Sequence, residues 1–320
     1  MTNLSYYVIH HLAISLIPDD GICANATWNP NGTTVIGGKG SGSSLDRFDF
    51  PSHIVVDNDL NIYITDNFNH RIVKWAPGAK TGQVVAGGNG QGDRSHQLSY
   101  PEGFVIDKNG SLLICDKENH RIQKWNKNDD HGTTLMSNIH CWGMAMDDNG
   151  LLYISDISGD HHVITWPDSR IVAGGNGQGS ALNQLSYPYF IFVDHDRSVF
   201  AADGGNHRIV KWPHGATEGI VVAGGNGPGS ELNQLHQPSS VIVDRMGTVY
   251  IAEDYNPRIT RWFKGSKEGV IVVGGRGEGD HIDQIRGQCD LAFDHNGNLW
   301  VADYFNQRIQ LFKIDKSLCK

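Results

Sequence analysis

The chain of 320 residues carries 26 Lys and Arg against 35 Asp and Glu, a net charge of −9, and 19% of its residues are charged. That balance excludes a general binder of phosphate backbones and a disordered polyelectrolyte, and no apolar run reaches the ~18 residues of a membrane helix. Glycine accounts for 39 residues and shows no G-X-Y period, which predicts many tight turns.

In chain order, residues 1–22 read as an N-terminal extension. They are mildly apolar, lack a basic start and carry His10 and His11, so they match a signal peptide poorly. Residues 23–320 read as one domain. A short β-like run, TTVIGG, stands at 33–38. One frame then recurs six times, starting near Pro51, Pro101, Cys141, Pro188, Pro238 and Gln288. In each unit a first apolar run ends at an Asp (57, 107, 147, 194, 244 or 294). A second run of the type NIYITD and a third of the type HRIVKW follow, and in the first five units a fourth of the type QVVAGG. No segment holds a 3.6-residue period. Six units of four short strands predict an all-β, six-bladed β-propeller.

The sixth unit has no fourth run after 307–314, and the run at 33–38 supplies it, closing the ring. That pairing brings Cys23 and Cys319 together and predicts a disulfide between them. Cys115 ends a second run and Cys141 begins the next first run on the same face, which places them for a second bond and leaves Cys289 free. None of the five Cys falls in a C-x-x-C pair, so no structural zinc site is expected. The bonds, with sequons at Asn3, Asn25, Asn31 and Asn109, point to a secreted or extracellular glycoprotein.

The third-run motif stands as DNFNHRIVKW (66–75), DKENHRIQKW (116–125) and DGGNHRIVKW (203–212). Looser copies are EDYNPRITRW (253–262) and DYFNQRIQLF (303–312), and unit three has DISGDHHVITW (156–166) with His162 in place of Arg. These copies resemble the NHL repeat, over residues 24–315. The resemblance implies the six-bladed propeller, most like extracellular propellers of that type. It carries three functional expectations: a noncatalytic interaction module, a metal-dependent enzyme like the peptidyl-hydroxyglycine α-amidating lyase, or an RNA- or protein-binding domain of tripartite-motif type. The lyase family holds zinc with three His near the starts of inner strands, where this chain has only His53. The RNA-binding members use a basic face, where this chain offers mainly Lys117.

Residues that recur at one motif position read as architecture: the acids Asp66, Asp116, Asp156, Asp203, Glu253 and Asp303 in every unit, and in most units the Arg five residues on, the motif His and the closing Trp. The GGNGQG stretches are followed by further β-runs and not by a helix, so they read as blade-to-blade turns and not phosphate loops. Function is expected where the repeat breaks, at the starts of first strands and the loops after second strands, which share one face around the central opening. There the chain places Trp142, Tyr189, Phe190, Tyr255 and Tyr304 with Glu102, Asp254, Asp290, His53 and Lys117. Aromatics among acids suit a protein, peptide or glycan ligand. No catalytic set, no metal ligand set and no nucleic-acid partner are expected. No cofactor is expected either, a central calcium held by carboxylates near the axis being the alternative, and the protein is expected to be a monomer.

Overall fold

Val, Ile and aromatic residues dominate runs of four to six residues, and in the computed structural model these runs are strands. The structure describes residues 22–319. Most of the N-terminal extension and the sequon at Asn3 lie outside the described residues. Ile22 is buried and packs in the core between the last two blades.

Six four-stranded antiparallel sheets follow one another, each running outward from an inner strand. The inner strands are Pro51–Val56, Pro101–Ile106, Cys141–Met146, Pro188–Val193, Pro238–Val243 and Asp290–Phe293. The last begins two residues later than the repeat frame suggests. The ring closes through Thr33–Gly37, which pairs with Arg308–Phe312 as the outer strand of blade 6, with Thr33 opposite Leu311 and Gly37 opposite Arg308. A further short pair, Thr27–Trp28 with Ile314–Asp315, follows below it. Both expected disulfides form, Cys23–Cys319 and Cys115–Cys141, and Cys289 is free and buried.

Apolar side chains on the faces of each sheet fill the space between blades. Ile72 and Ala86 of blade 1 meet Phe104, Leu112, Ile114 and Trp125 of blade 2 in one such core. The motif residues hold the connections. Arg71 donates to Asp66 at 2.7 Å, and the same pair recurs as Arg121–Asp116, Arg208–Asp203, Arg258–Glu253 and Arg308–Asp303. Each guanidinium also reaches carbonyls of the loop that enters its blade, such as Ser43 for Arg71 and Ser180 for Arg208. The motif Asn binds a glycine carbonyl of that same loop: Gly42, Gly92, Gly179 or Gly279. Blade 3 keeps only a long contact, His162 to Asp156 at 3.9 Å. Gly87 ends an outer strand at φ +68°, and a side chain there would run into the His70 carbonyl.

In blades 1, 3 and 4 the motif His ties the blade to the next. His70, His161 and His207 sit in the left-handed region, at φ 52°, 48° and 54°. Their Nδ1 atoms accept the backbone N–H of Tyr100, Tyr187 and Gln237 at 3.0–3.1 Å. In blade 6 the amide oxygen of Gln307 does the same for Phe50. Burial holds the three rings below the usual histidine range. A depressed folded value means that the neutral ring contributes stability above about pH 6.5, and that this is lost as pH falls through the folded values. Replacing all three by Gln, as blade 6 does naturally, keeps the acceptor and removes the titration. The triple variant is expected to lose less stability than the parent between pH 7.5 and 5.5 in urea unfolding. Equal losses would show that the rings do not carry this pH dependence.

Candidate functional site

Five of the six inner strands open with a register shift, between Pro51 and His53, Pro101 and Phe104, Cys141 and Met144, Pro188 and Ile191, and Pro238 and Ser240. Such bulges re-aim side chains, and here they turn the first residues of each strand toward the propeller axis. The second residue after each start forms a waist across the channel. His53 stacks on Phe190, with centroids 4.9 Å apart and planes 9° apart. Its Nδ1 stands 2.7 Å from Asp290 Oδ2, and its Nε2 stands 3.0 Å from the Phe104 carbonyl. Asp290 also accepts the Ser240 hydroxyl at 2.6 Å and the Ile54 N–H at 3.0 Å. Gly103 and Gly143 leave room for this layer, since a side chain on Gly143 would meet the backbone of Tyr189 and Phe190. Below the waist an apolar cavity of about 270 Å³ is lined by Ile54, Phe104, Met144, Ile191 and Leu291.

Above the waist lies a mouth. Trp142 and Tyr189 meet at 4.9 Å, and the Tyr189 hydroxyl accepts from Gln237 at 3.0 Å. The Lys117 ammonium lies 3.7 Å from the Trp142 ring centroid and 3.3 Å from Glu102 Oε1. Across the opening Tyr304 packs on Phe50 at 4.9 Å, and Phe50 on Phe68 at 4.6 Å. Phe68 in turn meets Tyr100. Tyr255 stacks on His236 and is 62% exposed.

The field at the mouth is negative. Burial first, and then the charges of Glu102, Asp254 and Asp49, raise the Tyr304 phenol. Burial raises Glu102 against the opposing pull of Lys117, and raises Asp254 with help from Glu278. A cation placed here meets acids and ring faces together.

The expected residues therefore divide into two layers. Trp142, Tyr189, Tyr255, Tyr304, Glu102, Asp254 and Lys117 stand at the mouth. Phe190, Asp290 and His53 stand in the waist, where Asp290 is 2% exposed and its oxygens are engaged. Phe50, Tyr100, Phe68, Phe305, His236 and Gln237 join the mouth without having been expected as contacts. Phe50, Tyr100 and Gln237 each precede a strand-opening Pro at positive φ, which turns the residue out of the strand. That position was open to reading as part of the face. Among the described residues no three His, Cys, Asp or Glu cluster as metal ligands.

The NHL repeat family profile matches residues 48–75 and 98–125, in blades 1 and 2. Six blades built on that motif decide the matter. The chain is an NHL-repeat propeller. Solved structures share the fold of this NHL propeller at low identity. An auxiliary nutrient binding protein from Bacteroides ovatus is 13% identical, with a TM-score of 0.67 over 89% of this chain and 76% of that one. A gluconolactonase from Xanthomonas campestris is 12% identical, with a TM-score of 0.60 over 85% and 89%. Virginiamycin B lyase from Staphylococcus aureus is 12% identical, with a TM-score of 0.55 over 90% and 99%. At such identities these likenesses speak for the fold alone. No curated protein matches the sequence.

Proposed function

We propose that this NHL propeller is a noncatalytic binding module that takes a cationic side chain of a protein or peptide ligand in its aromatic, acidic mouth. The observation that carries the reading is the Lys117 ammonium, held between the Trp142 face and Glu102. It is a cation in an aromatic and carboxylate cradle, with Tyr255, Tyr304 and Asp254 leaving further rings and charge for a second one. His53, the one His at an inner-strand start among the described residues, lies against Asp290, the Phe104 carbonyl and the Phe190 ring, contacts that join blades across the axis and favour a structural role for it. Two disulfides support work in an oxidising, extracellular setting, and among the described residues no helix is long and apolar enough to cross a membrane.

A displayed library of random peptides, selected on the immobilised protein, tests this reading. Enriched sequences are expected to carry Lys or Arg and to bind Tyr255→Ala and Trp142→Ala at least about ten-fold more weakly, as for an aromatic hot spot. Lys117→Ala should tighten binding by removing the internal competitor. Enriched sequences without a cation, or binding indifferent to all three variants, would overturn it.

A further inference from the structure

The grooves between neighbouring blades are related by the repeat, and the chain fills one of them itself. Between blades 5 and 6 Trp28 lies edge-on to Tyr250 and stacked on Phe293, with ring centroids 5.6 and 5.9 Å apart. Its indole N–H donates to the Gly297 carbonyl, in the turn after the inner strand, at 3.0 Å. Arg261 flanks the indole and donates to the Ala26 carbonyl at 2.7 Å. Trp28 is 5% exposed.

Fifty residues earlier in the repeat, Phe200, Val243, Lys211 and Gly247 replace Tyr250, Phe293, Arg261 and Gly297. These four residues line a cavity of about 680 Å³ between blades 4 and 5. The smaller Val243 widens the groove. Val221, on the outer strand Ile220–Gly224, forms part of its wall and is 37% exposed. The Lys211 ammonium lies 4.9 Å over the Phe200 ring and 3.0 Å from Asp194. Two more lysines, Lys264 and Lys267, stand exposed on the rim of an otherwise acidic molecule. Asp244 beside them is buried and engaged by Met246, Thr248 and Tyr250.

We infer that this groove docks an extended segment of another polypeptide that presents an indole, with acidic residues beside it to meet Lys264 and Lys267. The seat of Trp28 is the template: an aromatic wall, a turn carbonyl for the indole N–H, and a flanking cation. Indoles are strong interface anchors because they bury a large rigid surface and keep one polar handle. The basic rim selects for acidic neighbours. The groove is separate from the mouth, so the two sites stand or fall independently.

Two capped peptides serve as probes, one copying residues 26–30 and one adding a glutamate at each end, both with a photoreactive group. Saturable labelling of the segments 243–247 and 264–267 is expected, tighter for the glutamate-flanked peptide and weaker at high salt. Replacing the tryptophan of the peptide by alanine should weaken binding at least about ten-fold. Val221→Glu should abolish labelling. Blade 2 has Thr134 at that strand position, so a polar side chain is compatible with the fold, and an unchanged circular dichroism spectrum checks it. The inference is overturned if neither peptide labels saturably below about 1 mM, if the labelling falls on the mouth, or if folded Val221→Glu labels as before.

Discussion

Removal of the Cys23–Cys319 bond by paired alanine substitution is expected to lower stability by about 5.7 kcal/mol and to free the closing strand. The bond spans 296 residues, so nearly the whole chain is one loop constrained in the unfolded state. The Cys115–Cys141 bond spans 26 residues and on the same chain-entropy reasoning contributes about 3.5 kcal/mol. Location separates the two more sharply than size. Cys23 and Cys319 lie just outside the pairing of Thr27–Trp28 with Ile314–Asp315, which continues the pairing of Thr33–Gly37 with Arg308–Phe312. Without the bond, the outer strand that the start of the chain lends to blade 6 can detach, and Trp28 can leave its groove. Hydrogen exchange is therefore expected to rise at residues 33–37 in the Cys23→Ala/Cys319→Ala protein and to remain slow there in Cys115→Ala/Cys141→Ala. Undiminished protection of 33–37 in the first variant would mean that strand exchange alone holds the ring shut.

Blade count, closure and both disulfides were legible because the repeat is enforced by paired interactions. Asp66 needs Arg71, Asn69 needs the Gly42 carbonyl, and His70 needs the next blade's Tyr100 N–H, and the four residue types stand together in blades 1, 2 and 4. Where a partner changes, the copy degrades in step: His162 replaces Arg in blade 3, and Gln307 replaces His in blade 6 with its oxygen on Phe50. The mouth was legible as a face but not in depth. Trp142 and Phe190 are both aromatic, near a strand start, and unlike their counterparts in other blades. One reaches the mouth and the other is sealed in the waist, because adjacent residues of a bulged strand point to different levels of a narrowing channel. The seating of Trp28 was hidden for a different reason. It depends on a single segment outside the repeat meeting one of six similar grooves, and no spacing within the repeat encodes that choice.

His53→Ala is expected to cost about 3–5 kcal/mol, far more than the loss of one polar surface residue. His53 is 9% exposed, and it touches Asp290 of blade 6, the Phe104 carbonyl of blade 2 and the Phe190 ring of blade 4. Through Asp290 it is linked to Ser240 of blade 5. One side chain of blade 1 thus connects four other blades across the axis. Deleting it leaves the Asp290 carboxylate 2% exposed, with only a hydroxyl and one backbone N–H for company. Removing the partner of a buried polar group leaves that group to bear its desolvation alone, and here the lost ring adds a cavity. A double-mutant cycle isolates the coupling: His53→Ala/Asp290→Ser should be much less destabilised than the sum of the two single changes. Additive losses would mean that the contact carries no coupling and that the effect of His53→Ala is ordinary cavity formation. The same variant removes the stacking partner of Phe190 and joins the mouth to the apolar cavity of about 270 Å³ beneath it. Ligand affinity at the mouth is therefore expected to fall even under conditions where the variant remains folded, because the rings above the waist lose their rigid floor.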